Sequence, residues 1–167
     1  MSNDTIAGSG LEKMFYGQIL SILVIIPLVG WIAAIVGIVL FLVGLHEAAG
    51  ADEGYRTAFY VEIGILVLSV LAVFIGVLNI VTSILRLVVI YLVCTTTAGL
   101  LEVKGDLGTA ARGRFAWKFY GGCTALVVVC SILSLIPLVN VPASIASVVG
   151  GILLLIFLYR ACKSLRY

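Results

Sequence analysis

Residues 15–47 read FYGQILSILVIIPLVGWIAAIVGIVLFLVGLHE. From Phe15 to Leu45 there is no charged residue, and the apolar run is broken once, at Ile26-Pro27-Leu28-Val29-Gly30. Proline removes an amide donor, and Pro with Gly marks a turn, so the pentapeptide predicts one helix ending and a second reversing from it. In hydrocarbon an unpaired backbone amide costs several kcal/mol, so helices are the expected form of both flanks.

The same unit recurs along the chain, which is the most informative feature of the sequence. Phe15-Tyr16-Gly17, Phe59-Tyr60-Val61 and Phe119-Tyr120-Gly121 each open an apolar stretch. The stretches break at Ile26–Gly30, at Ile75-Gly76-Val77-Leu78-Asn79 and at Ile136-Pro137-Leu138-Val139-Asn140. Ser21-Ile22-Leu23 and Pro27-Leu28-Val29 match Ser131-Ile132-Leu133 and Pro137-Leu138-Val139.

The expected fold is therefore all-α: a polytopic transmembrane helical bundle of six helices arranged as three repeated helical hairpins. The expected helices cover 11–26, 31–47, 57–75, 80–101, 115–136 and 141–162. Hairpins span 11–47, 57–101 and 115–162, with a cytoplasmic N-terminal tail over 1–10 and a C-terminal tail over 163–167. Segments of about 20 residues reach roughly 30 Å, the thickness of the hydrocarbon core. The first helix is shorter, at roughly 24 Å. No stretch alternates in polarity as barrel strands do.

Composition points the same way. Of the 167 residues, 63% are hydrophobic and 11% charged, with mean hydropathy +1.29. Soluble domains run at about 45–50% apolar and about 25% charged, so lipid is the expected solvent. The polar start, Met1 to Gly10, has no basic region before a short apolar stretch, and no removable signal peptide is expected.

The net charge of +2 says little, but its placement says more. All basic residues except Arg86 lie on the side away from the three uncharged turns, at Lys13, Arg56, Lys104, Arg112, Arg114, Lys118, Arg160, Lys163 and Arg166. The positive-inside rule then puts both termini in the cytoplasm of an inner-membrane protein. Tyr16, Tyr60, Trp117, Tyr120 and Tyr159 share that level as an aromatic belt, and Trp31 sits at the opposite surface. A second arrangement stays open, in which uncharged turns enter one leaflet and return as wedges that shape the membrane.

Arg86 is the strongest single clue to a function. It lies about 10 Å past the turn at Asn79, where arginine is costly and faces the bundle interior. The repeat lays Gly37 on Arg86 and on Ser147, and Ala33 on Thr82 and Ala143. Ala33/Gly37 and Ala143/Ser147/Gly151 are small-residue pairs of the kind that mark close helix contact. Asn79, Thr82, Ser83 and Arg86 form a candidate polar or ligand site, with Cys94 and Thr97 farther along the same helix. Two readings stand: an anion, headgroup or substrate contact in a polar cavity, or a structural arginine that binds carbonyls or snorkels. Glu62 is expected at a different depth, roughly 11 Å from Arg86 along the normal, reaching interfacial water rather than pairing.

Other chemistry has little to carry it. Cys94, Cys123, Cys130 and Cys162 form no C-x-x-C pair and read as buried apolar residues. His46 with scattered carboxylates is a poor metal set, and residues 48–56 lack the calcium-loop pattern. No nucleophile–base set or phosphate loop is present, so no enzyme and no cofactor is expected. The absence of a basic stripe argues against nucleic acid. The 104–118 segment reads as a short basic loop near anionic headgroups.

Ile25–Ile32, Ile35–Leu40 and Gly44-Leu45-His46-Glu47 resemble small multi-pass membrane proteins of archaea and bacteria grouped as a domain of unknown function. The resemblance is best over 15–60. It implies a multi-pass fold and carries no functional residues. The expected role is a non-catalytic integral membrane protein that acts through helix packing, with the bilayer and a second copy or another membrane subunit as partners. The alternatives are a small-solute or anion channel or transporter component built around Arg86, and membrane shaping.

Overall fold

The fold is taken from a computed structural model. It describes the backbone of residues 3–22, 30–72, 74–75, 78–133 and 137–166, and their side chains except at 21–22, 30–31, 127–128, 130–133, 137–147 and 166. The described residues form six helices: α1 (Asn3–Ile22), α2 (Gly30–Ala48), α3 (Glu53–Ala72), α4 (Leu78–Val103), α5 (Leu107–Leu133) and α6 (Pro137–Arg166). No strand occurs among the described residues. Among the described residues, three stretches are long and apolar enough to cross a membrane: α3, α4 and Val148–Leu165 of α6.

Each helix packs on its neighbours in sequence, and α6 packs back on α1, so the six close into a ring. The contact between α2 and α3 is the slightest of these neighbouring pairs, and α4 also touches α6. Among the described residues, buried side chains lie toward the charged end, with Leu11, Met14, Leu45, Tyr55, Leu101, Phe157, Leu158 and Leu165 in the core. The outward faces are apolar at helical spacing: Ile32, Ile35 and Val39 on α2, Ile63, Val67 and Val70 on α3, Val81, Ile84 and Val88 on α4, and Ile152 and Ile156 on α6. A continuous apolar belt of that size suits hydrocarbon better than water.

The ends of the helices explain several departures from the expected boundaries. Residues 3–10, expected as a tail, belong to α1. Gly8-Ser9-Gly10 reads as a breaker in isolation, but here the missing side chain lets α1 meet α2 backbone to backbone. A Cβ built on Gly10 would lie 2.5 Å from the Gly44 carbonyl oxygen and 2.7 Å from the Ala48 nitrogen. Gly44 faces Gly10 in the same way, and one turn-pair along the helices Gly17 faces Gly37. Small residues at such contacts allow the closest approach two helices make.

The expected basic loop over 104–118 is mostly the start of α5, and only Lys104, Gly105 and Asp106 connect it to α4. Gly105 has φ +91°, which other residues adopt at a cost. The Asp106 amide donates to the Leu101 carbonyl and the Gly105 amide to that of Glu102, closing α4 with a Schellman motif. Asp106 then caps α5, its Oδ1 accepting from the Thr109 amide at 3.0 Å. Asp52 caps α3 likewise, accepting from the Gly54 amide at 2.7 Å. In α6, Pro137–Asn140 are helical where a turn was expected, because proline is accommodated in a first helical turn. Of the expected first turn, 26–30, residues 26–29 lie outside the described residues.

The charged end is tied across helices by polar contacts. Lys13 pairs with Glu47, which also accepts from Ser9 Oγ at 2.6 Å. Arg114 pairs with Glu102, Lys104 Nζ donates to the Ser164 carbonyl, and Ser164 Oγ donates to Asp106 at 2.8 Å. Hydrogen bonding from the Thr109 amide, then from Ser164, holds the Asp106 carboxyl below its ordinary value.

Candidate functional site

A cavity of about 230 Å³ sits inside the ring and is lined by all six helices. One water needs only ~10–15 Å³ on such a measure, so there is room for a small molecule. Its walls are chiefly apolar: Met14 from α1, Phe41 from α2, Val89, Ile90 and Val93 from α4, Leu154 and Leu158 from α6. Four polar side chains join them, namely Gln18 of α1, Glu62 of α3, Arg86 of α4 and Tyr120 of α5.

Glu62 and Arg86 pair, with Arg86 Nη2 3.6 Å from Glu62 Oε1. This corrects the expectation of two unpaired groups at different depths. The cause is the position of the turn: α3 ends at Ala72 and α4 begins at Leu78, both earlier than expected. Glu62 is then roughly 15 Å from the end of α3 and Arg86 roughly 12 Å from the start of α4. Two long side chains span the remaining difference.

The pair is asymmetric. Glu62 is buried at 7% exposure, so it does not reach interfacial water as expected. The Arg86 side chain is 57% exposed. Guanidinium offers five N–H donors in a planar fork, and at 3.6 Å the carboxylate is a loose partner for them. Glu62 is its ion-pair partner, and five donors exceed what one carboxylate oxygen at that distance can accept. The site therefore presents a cation with unfilled donors, a buried counter-charge behind it, a phenol, an amide and an apolar wall.

Of the candidate polar residues on α4, Arg86 alone lines this cavity. Asn79 is exposed, and its carbonyl accepts from Thr82 Oγ1 at 3.0 Å and Ser83 Oγ at 2.8 Å. Those hydroxyls satisfy themselves on their own helix, as Ser and Thr do in apolar surroundings. Cys94 and Thr97 are buried nearer the charged end. Thr97 donates to the Val93 carbonyl at 2.6 Å and accepts from the Tyr55 hydroxyl at 2.6 Å.

The small residues fall in several places. Ala33 is buried on α2, and Gly37 is buried beside Gly17 at the edge of the cavity. A Cβ on Gly151 would meet nothing within 4 Å. The side chains of Ala143 and Ser147 lie outside the described residues. Gln18 and Tyr120 were not singled out as site residues. Gln18 carried a usable signal, as an amide inside an otherwise apolar stretch. Tyr120 did not, because a tyrosine at that level reads equally well as an interfacial anchor.

Metal chemistry has no cluster to support it: no group of three or more His, Cys, Asp or Glu gathers among the described residues. No family model, curated protein or solved structure matches the chain.

Proposed function

We propose that the chain is a non-catalytic, multi-pass membrane protein that binds a small solute inside its helical ring, as a channel or transporter component. The observation that carries this reading is the cavity shared by all six helices, with Arg86 and Glu62 at its wall. Intramembrane charges that face a cavity commonly mark a solute or ion path. The bundle is read as three hairpins in the inner membrane, with the basic end and both termini cytoplasmic.

Action through assembly has less behind it. Of the Ala33/Gly37 face that suggested helix contact, Gly37 packs against Gly17 of α1 in the same chain, and Ala33 is buried.

The test is thiol accessibility in lipid. Ala34 lines the cavity, whereas Ile35 points outward at 62% exposure. Ala34→Cys should react with a small water-soluble methanethiosulfonate well above the background of the native cysteines, and Ile35→Cys should not. In nanodiscs, at least one of butyrate, butyramide or butylammonium should bind, and Ala34→Phe, which fills the space, should abolish that binding. An unreactive Ala34→Cys and no binding of any probe would refute the proposal.

A further inference from the structure

Resting on the small-solute reading, we infer that the cavity takes a short-chain aliphatic carboxylate together with one proton, the carboxylate on Arg86 and the proton on Glu62. Three features of the site lead there. The exposed guanidinium has donors to spare, and its planar fork matches a carboxylate through two parallel N–H bonds. The wall beyond it, formed by Phe41, Val89, Val93, Leu154 and Leu158, suits a short alkyl tail and offers little to a strongly hydrated inorganic ion. Glu62, buried behind Arg86, already holds the position of a carboxylate partner.

A second carboxylate brought to Arg86 puts two anions around one cation. Because Glu62 is buried, two carboxylates so placed do not both stay ionised. The entering anion takes the guanidinium, and Glu62 accepts on a carboxylate oxygen a proton from solvent hydronium, whose O–H bond breaks to leave water. No bond other than O–H forms, and the charge inside the ring is the same before and after. Binding of the anion and of the proton are then reciprocally linked.

The groups that bear on Glu62 from the packed elements are few. They are Arg86 of α4, Tyr120 of α5 and, one turn nearer the charged end, His46 of α2, whose ring lies 5.0 Å from that of Phe59. Gln18 of α1 lines the same space without titrating. His46 supplies the control.

The experiment is calorimetric titration of butyrate into the full chain in nanodiscs, in two buffers of different ionisation enthalpy, from about pH 5 to about pH 8. The difference between buffers counts protons. Expected is uptake of about one proton per butyrate where the free pair is ionised, with affinity falling about tenfold per pH unit there. His46→Gln should keep both effects. Glu62→Gln should bind butyrate with no proton uptake and a flat pH profile, and Arg86→Gln should not bind. The wild-type proton count is decisive even if a variant fails to fold. Binding without proton uptake, uptake that survives Glu62→Gln, or preference for butyramide or butylammonium would overturn the inference while leaving a solute-binding cavity. Failure of all three probes, with Ala34→Cys unreactive, would overturn the cavity reading as well.

Discussion

Replacing Gly44 by alanine tests the close backbone contact between α1 and α2. A Cβ there would lie 2.5 Å from the Gly10 carbonyl oxygen and 2.7 Å from the Met14 nitrogen. Ordinary C···O contacts are about 3.3 Å, so α1 and α2 must separate by roughly 0.8 Å. Both obstacles are backbone, so rotation of a side chain gives no relief. A gap of that size forfeits about a quarter to a half of each dispersion contact, at about 0.1–0.2 kcal/mol per atom pair. Over the roughly 50 pairs that one or two buried side chains make, the loss is about 2–3 kcal/mol. Leu11, Met14, Leu45 and Ala48 lie fully buried beside the contact and bear that loss. Alanine's better helix propensity returns about 1 kcal/mol, leaving a net loss of about 1–2 kcal/mol.

Gly99 is the matched control, because a Cβ there meets nothing within 4 Å. Gly99→Ala should stabilise by up to about 1 kcal/mol through propensity alone. Reversible unfolding in mixed micelles, titrated with a denaturing detergent, gives both values on one scale. If Gly44→Ala were as stable as wild type, or shifted in the same direction as Gly99→Ala, α1 would not interlock with α2 as described.

Tyr55 and Thr97 share the hydrogen bond of the buried charged-end core, and Tyr55→Phe should cost about 1 kcal/mol, because Thr97 keeps its own bond to Val93. A double-mutant cycle with Thr97→Val should return a coupling energy of about 0.5–1.5 kcal/mol, and additivity would place the two groups apart. Asp106 should make stability depend on acid. Its folded carboxyl is held below the ordinary value by the Thr109 amide and Ser164, so its contribution is full above the unfolded value of about 3.9 and fades as pH falls through the folded one. Asp106→Asn should lower the unfolding midpoint near neutrality and converge with wild type in acid, as followed by circular dichroism.

Hydropathy and local turn chemistry carried much of the fold. The apolar stretches around Gly17, Leu66, Val89 and Leu154 are helical as their composition demanded, and α3, α4 and the end of α6 have the length to cross a bilayer. The boundaries were less legible. Gly8-Ser9-Gly10 and the segment from Lys104 to Lys118 look like loops when only neighbours in sequence are counted. Each becomes helical because a partner helix, α2 or α6, lies against it. Packing supplies more free energy than the propensity of a single glycine removes.

The site divides along the same line. Arg86 was conspicuous in the sequence because a charge in an apolar helix is expensive wherever that helix goes. Its pairing with Glu62 was not, since a shift of a few residues at one turn moves their relative depth by most of a side-chain length. Gln18 and Tyr120 join them only because the ring closes α1 and α5 around the same space. What the sequence alone determined is helical character and an apolar exterior, because each follows from residues within a single segment and the solvent they require. Tertiary structure decided which of those helices touch, how closely α1 meets α2, and that four polar groups from four helices face one cavity, because those distances depend on register and crossing among segments far apart in the chain.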